Sequence, residues 1–124
     1  MLNSKLPKIL WTNPNPGVSF AAQDVVLNST DYDYLEIVYN ETRDISSNII
    51  SSPSVQKGER CQVIYIGTDD SNRLLRRFRV ASVSSDGDIV TFNVARYQGS
   101  YHSAFSDGAQ FFVPKRIVGY KYGN

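Results

Sequence analysis

Residues 60–97 read RCQVIYIGTDDSNRLLRRFRVASVSSDGDIVTFNVARY, and the spacing of apolar and polar side chains along them decides the fold. Arg60 to Thr68 is apolar or β-branched at nearly every position. That suits a strand covered on both faces or held at a subunit contact, and it makes Val63, Ile64, Tyr65 and Ile66 the candidate interface. Four turn formers, Asp69-Asp70-Ser71-Asn72, break the run; Arg73 to Ser84 resumes it, and Ser85-Asp86-Gly87-Asp88 ends it again. Asp-Gly readily takes the positive φ angles of a two-residue hairpin, so Ile89 to Tyr97 is expected to return antiparallel. Val90, Phe92 and Val94 then share one face, with Thr91 and Asn93 on the other. A three-strand meander results.

The same alternation recurs upstream. From Leu35 to Glu41, Leu35, Ile37 and Tyr39 fall at every second position, with Val38 the apolar exception on the other face. Ile9, Leu10 and Trp11 form a short apolar run that stops at Asn13-Pro14-Asn15-Pro16-Gly17, where two prolines fix φ and remove amide donors. Apolar character returns at Val18, and a second strand is expected to end near Asn28. Ile49 and Ile50 start a short run that Ser51-Ser52-Pro53-Ser54 breaks, the proline arguing for an edge position or a loop. Gln56-Lys57-Gly58-Glu59 reads as a tight turn, and Phe111 to Val113 and Ile117 to Tyr122 read as closing strands on either side of Pro114. These segments predict about eight strands and no amphipathic helix. The expected fold is all-β: a single antiparallel β-sandwich, jelly-roll-like, over residues 7–124, preceded by an N-terminal tail of residues 1–6.

Composition bounds the function. A chain of 124 residues buries roughly two thirds of the surface its unfolded form exposes, enough to fold without staples. Hydrophobic residues at 41% and charged residues at 20% are ordinary for a globular domain, and fifteen aromatics with twelve Val and nine Ile favour a pleated surface. The net charge of +1 supplies no overall field for nucleic acid or an anionic membrane. Cys61 is the only cysteine, which rules out an internal disulfide and fits synthesis in a reducing cytoplasm. MLNSKLPKIL lacks the apolar core of a signal peptide, and no run approaches the length that spans a bilayer.

Four constellations carry possible chemistry. Arg73, Arg77 and Arg79 share a strand face and Arg76 takes the other, a stripe able to grip phosphates or, more simply, a solvated face paired with acidic neighbours. His102 lies near Ser100, Ser103, Ser106 and Asp107, but without a G-x-S-x-G elbow or a second histidine neither a hydrolytic triad nor a zinc site is expected. No catalytic residue, metal or cofactor is therefore assigned. Asp31-x-Asp33, Asp69-Asp70 and Asp86-Gly87-Asp88 carry oxygens suited to calcium, but none continues into a twelve-residue loop with a closing Glu, and turn formation accounts for them. The loop from Gln98 to Gln110 is rich in Gly and Ser yet carries aromatic residues. Tyr32, Tyr34, Tyr97, Tyr101, Tyr120, Tyr122 and Trp11 are rings with polar edges, which stack on sugars and anchor protein interfaces alike; within the loop Tyr97, Tyr101, His102 and Phe105 are the candidate ligand-binding residues, against the alternative that Phe105 and one tyrosine plug the end of the sandwich.

A resemblance takes the reading further. LWTNPNP at 10–16, FAAQ at 20–23, DYDYLEI at 31–37 and PKRIVGYK at 114–121 occur in an order that resembles small structural proteins encoded among the tail and minor-structural genes of phages infecting Gram-positive bacteria. The likeness covers both ends of the chain, while residues 40–72 match nothing specific. It implies a non-enzymatic virion protein, a tail, fibre or head-decoration module made in the host bacterial cytoplasm. Its expected partners are copies of itself, a trimer among the expected forms, other virion proteins and the host cell surface. The alternative is a monomeric carbohydrate-binding module that recognises cell-wall glycan through the aromatic loop. A third reading, a small phage factor that grips a nucleic-acid machine through the arginine stripe, predicts salt-sensitive binding.

Overall fold

The computed structural model describes residues 6–68, 71–72, 74–99 and 104–122. Ten strands account for its regular structure: β1 (Lys8–Thr12), β2 (Gln23–Val26), β3 (Tyr34–Thr42), β4 (Ile49–Ser51), β5 (Arg60–Thr68), β6 (Leu74–Val83), β7 (Ile89–Phe92), β8 (Arg96–Gln98), β9 (Ser106–Asp107) and β10 (Phe111–Tyr120). One sheet has the order β1-β10-β3-β4; the other runs β2-β7-β6-β8-β9, with β5 along the remaining side of β6. Every pairing is antiparallel. The chain crosses between sheets from β1 to β2 and from β2 to β3, as an all-β sandwich of jelly-roll-like character requires.

The meander is present as β5, β6 and β7, but its third strand is broken. Phe92 pairs with Ala81, and Arg96 pairs further along the same strand with Phe78. β7 and β8 thus lie end to end along β6, and the interruption falls at Asn93 to Ala95. The Ser85–Asp88 turn also departs from the two-residue form expected. Gly87 alone has positive φ, at 82°, and its amide donates to the Ser84 carbonyl at 3.0 Å. That is a four-residue turn ending in the left-handed glycine.

The core lies between the sheets. Phe92 sits at its centre, 5.3 Å from Phe20, 6.3 Å from Trp11 and 6.3 Å from Tyr39 between ring centroids. Leu35, Ile37, Tyr39, Val90, Val113 and Ile117 are fully buried around it, which is the burial that two-residue alternation demands.

Pro114 does not end a strand. β10 runs through it, with the register shifting between Pro114 and Arg116 to accommodate the missing donor. Both Phe112 and Val113 are buried, breaking the alternation, and Phe112 reaches the core from a left-handed φ of 47°, a conformation costly for an aromatic residue. Asn13 secures the bulge from β1: its Nδ2 donates to the Pro114 carbonyl at 2.7 Å, its backbone amide to the Lys115 carbonyl at 2.9 Å, and its Oδ1 accepts from the Asn15 amide at 2.8 Å. Replacing it by alanine leaves buried groups without their partners, so Asn13→Ala is expected to cost about 1–2 kcal/mol in urea denaturation.

Residues of two further resemblance motifs make contacts at the other end of β10. Tyr32 donates its hydroxyl to the Gly87 carbonyl at 2.7 Å, tying the entry to β3 onto the far hairpin. Gly119 faces Leu10 so closely that an added Cβ would lie 2.7 Å from its Cδ1 and 3.1 Å from the Tyr32 Cβ.

Candidate functional site: an outer sheet face and an aromatic groove

Strand parity sorts the expected interface residues. Cys61 and Val63 point into the core, Val63 with 4% of its surface exposed, and Tyr65 is half-buried on the same side. Ile64 and Ile66 point outward, with 50% and 58% exposed. β5 is therefore covered on one face only, and Val63 and Tyr65 cannot share a surface with Ile64 and Ile66.

β6 divides its arginines in the same way. Arg77 and Arg79 face inward with Ala81, while Arg76 faces outward with Leu74 and Phe78. Arg77 lies 4.3 Å from the Phe111 ring centroid and 5.1 Å from that of Tyr65. Arg79 has none of its surface exposed. It donates to four backbone carbonyls: Asn93 at 2.8 Å, Phe111 at 3.0 Å, Phe20 at 3.1 Å and Ala109 at 3.3 Å. The stripe expected from spacing is corrected accordingly: Arg73 lies outside the described residues, Arg77 is sandwiched between rings, and Arg79 is a structural member of the core. Neither a solvated face nor a phosphate grip contains it.

The outer face gathers an apolar surface in place of that stripe. Ile64 is opposite Phe78 and Ile66 opposite Arg76, and Leu74 at the start of β6 is 41% exposed. Phe105 packs edge-on against Phe78 at 5.4 Å. The Arg76 guanidinium stands 5.0 Å over the Phe105 ring and is steadied by a 3.1 Å bond from its Nε to Gln98 Oε1. Among the described residues nothing pairs with the far edge of β5.

The expected recognition loop is divided too. Tyr97 packs inward, 5.3 Å edge-on from Phe111, and Phe105 joins the outer face. Tyr101 and His102, with Ser100 and Ser103, lie outside the described residues. Ser106 and Asp107 form β9, and Asp107 Oδ1 is 3.7 Å from Arg96.

A second feature groups three of the tyrosines singled out in the sequence with polar residues that were not. At the end of the sandwich near Gly119, Tyr34 and Tyr120 stack at 5.1 Å with planes 7° apart, and Tyr122 leans on Tyr34 at 5.6 Å. A groove of about 510 Å³ is lined by Tyr34, Ser54, Gln56, Glu59 and Tyr122. Close by, the Lys121 ammonium hydrogen-bonds to Asp31 and holds its carboxyl below the usual range. Asp33 Oδ2 accepts the Tyr122 amide at 2.7 Å, and at the Ser84 hairpin Asp88 Oδ1 accepts the Ser84 hydroxyl at 3.0 Å. Asp69 and Asp70 lie outside the described residues.

No family model, curated protein or solved structure matches this chain.

Proposed function

We propose that this chain is a non-enzymatic structural protein of a phage virion, a tail, fibre or head-decoration module of a phage of Gram-positive bacteria, assembled as a closed homo-oligomer through the outer face of β5 and β6. One observation carries the assembly: Ile64, Ile66 and Leu74 stand exposed together beside a strand edge that nothing among the described residues pairs. An edge of that kind is a template for another chain, and contiguous exposed apolar surface marks a contact site. Closed symmetry covers every copy's patch and leaves no open end.

The phage assignment rests on the resemblance of LWTNPNP, DYDYLEI and PKRIVGYK. Asn13 and Gly119 within those motifs hold strands of the first sheet together and Tyr32 ties that sheet to the second, which suits a scaffold that presents its loops rigidly to the host surface and performs no reaction.

Light scattering over a dilution series tests the proposal. The native chain is expected to keep one oligomeric mass, and Ile64→Glu, which forces a carboxylate into the contact, should weaken association about a hundredfold or more. A native chain that is monomeric throughout the series overturns the assembly.

A further inference from the structure

The groove beside the start of β5 shares none of its lining residues with the exposed Ile64, Ile66 and Leu74, and it has the chemistry of a ligand site. The Tyr34–Tyr120 stack is a direct cross-strand pair of β3 and β10 and needs no function beyond sheet stability. Tyr122 is different. It lies beyond the last strand with 56% of its surface exposed, yet it is fixed at both ends: its amide donates to Asp33 Oδ2 at 2.7 Å, and its hydroxyl accepts from Gln56 Nε2 at 2.7 Å. Gln56 is itself locked, because its amide donates to Glu59 Oε1 at 2.8 Å while the Glu59 amide donates to the Gln56 carbonyl at 3.1 Å. An exposed ring held this firmly forms a ready-made wall, and ordering it costs nothing further when a ligand arrives.

We infer that the groove between Tyr122, Tyr34, Gln56, Glu59 and Ser54 binds a neutral pyranose unit of a glycan. Two tyrosines supply the apolar faces on which the C–H side of a sugar ring stacks, through dispersion and weak C–H···π contacts. The carboxamide, carboxylate and hydroxyl along the rim match a ring of hydroxyl groups that both donate and accept. The volume of about 510 Å³ falls within the range of small-ligand pockets. Charge selects among sugars: Glu59 is the one ionisable acid or base in the lining besides the tyrosines, and its negative charge disfavours uronic acids and phosphorylated sugars.

Calorimetry and saturation-transfer NMR on the full chain test this with cellotetraose, chitotetraose and, as the anionic counterpart, tetragalacturonate. Binding of at least one neutral tetrasaccharide and no binding of tetragalacturonate are expected. Tyr122→Ala should weaken that binding about tenfold and Gln56→Ala severalfold, both with the dispersed amide spectrum of the folded chain retained. Ile64→Glu should leave sugar affinity unchanged while altering the oligomeric mass, so failure at the groove and failure at the assembly face separate cleanly. Absence of binding to both neutral tetrasaccharides at millimolar concentration, equal affinity for tetragalacturonate, or affinity indifferent to Tyr122→Ala would each overturn the site.

Discussion

Arg79→Met is expected to unfold at a much lower urea concentration than the native chain, losing on the order of 3 kcal/mol with an unchanged m value. Two effects oppose each other at this residue. Burial draws the guanidinium down to about 10, so it is charged at neutral pH in the core, with no carboxylate paired to it among the described residues. Because the folded value lies below the unfolded one, burying the charge costs stability at every pH below about 10, and the cost is relieved as pH rises from there towards the ordinary arginine value. Tyr39 runs the other way: burial raises its phenol, so its contribution is full below pH 10 and is lost above it.

Methionine removes the charge cost but also every donor. The Ala109 carbonyl keeps a bond from the Phe20 amide, whereas the carbonyls of Phe20, Asn93 and Phe111 each lose a charge-assisted one. Each such bond is worth about 1.5–3 kcal/mol, so the lost bonds outweigh the relief. Arg79→Lys is not expected to rescue, because one ammonium cannot span carbonyls that a planar fork reaches from several sides. Full stability in the lysine variant would show that charge, and not the fork, is what matters.

Phe92→Ala should cost about 3–5 kcal/mol, the range for removing a large buried ring that leaves a cavity. Its neighbours Trp11, Phe20 and Tyr39 come from separate parts of the chain, and Trp11 and Tyr39 sit on different strands of the facing sheet, so no single backbone shift closes the space. A domain of this kind is stable by only about 5–15 kcal/mol, and a loss of that size shifts its thermal midpoint by ten degrees or more. Calorimetry reads it directly; a loss under 1 kcal/mol would place the centre of the core elsewhere.

Much of this arrangement was legible beforehand. Alternation at Leu35, Ile37 and Tyr39 marks β3 correctly, and the turn formers around Gly58 and Gly87 mark the boundaries of β5, β6 and β7. Arg79 was misread as part of an outward stripe, although it shares strand parity with Ala81 and Val83, both buried. The charge pointed outward and the parity pointed inward, and parity decides because a strand cannot turn one side chain through its own sheet. Pro114 misled for a different reason. A missing donor stops a strand unless something else secures the bulge, and the residue that does so, Asn13, lies 101 positions away.

The groove was beyond reach for the same reason. Tyr34 and Tyr122 become neighbours only because β3 and β10 pair, and Gln56 and Glu59 belong to the middle segment whose sequence matches nothing specific. Cross-strand pairing brings these residues together, and no local spacing announces it. The outer face was half legible: an apolar run on both faces of β5 signals that something must cover it, without saying which residues the core already takes.

The placement of β10 between β1 and β3 bears on how the molecule comes into being. A ribosome delivers both flanking strands long before the one that joins them, and loop closure over such a span is entropically demanding, so the first sheet stands open until β10 has emerged. During that interval β1 and the near side of β3 offer bare backbone to any neighbouring nascent chain. The joining strand is thus both the last piece of that sheet and the safeguard against tangling before it closes.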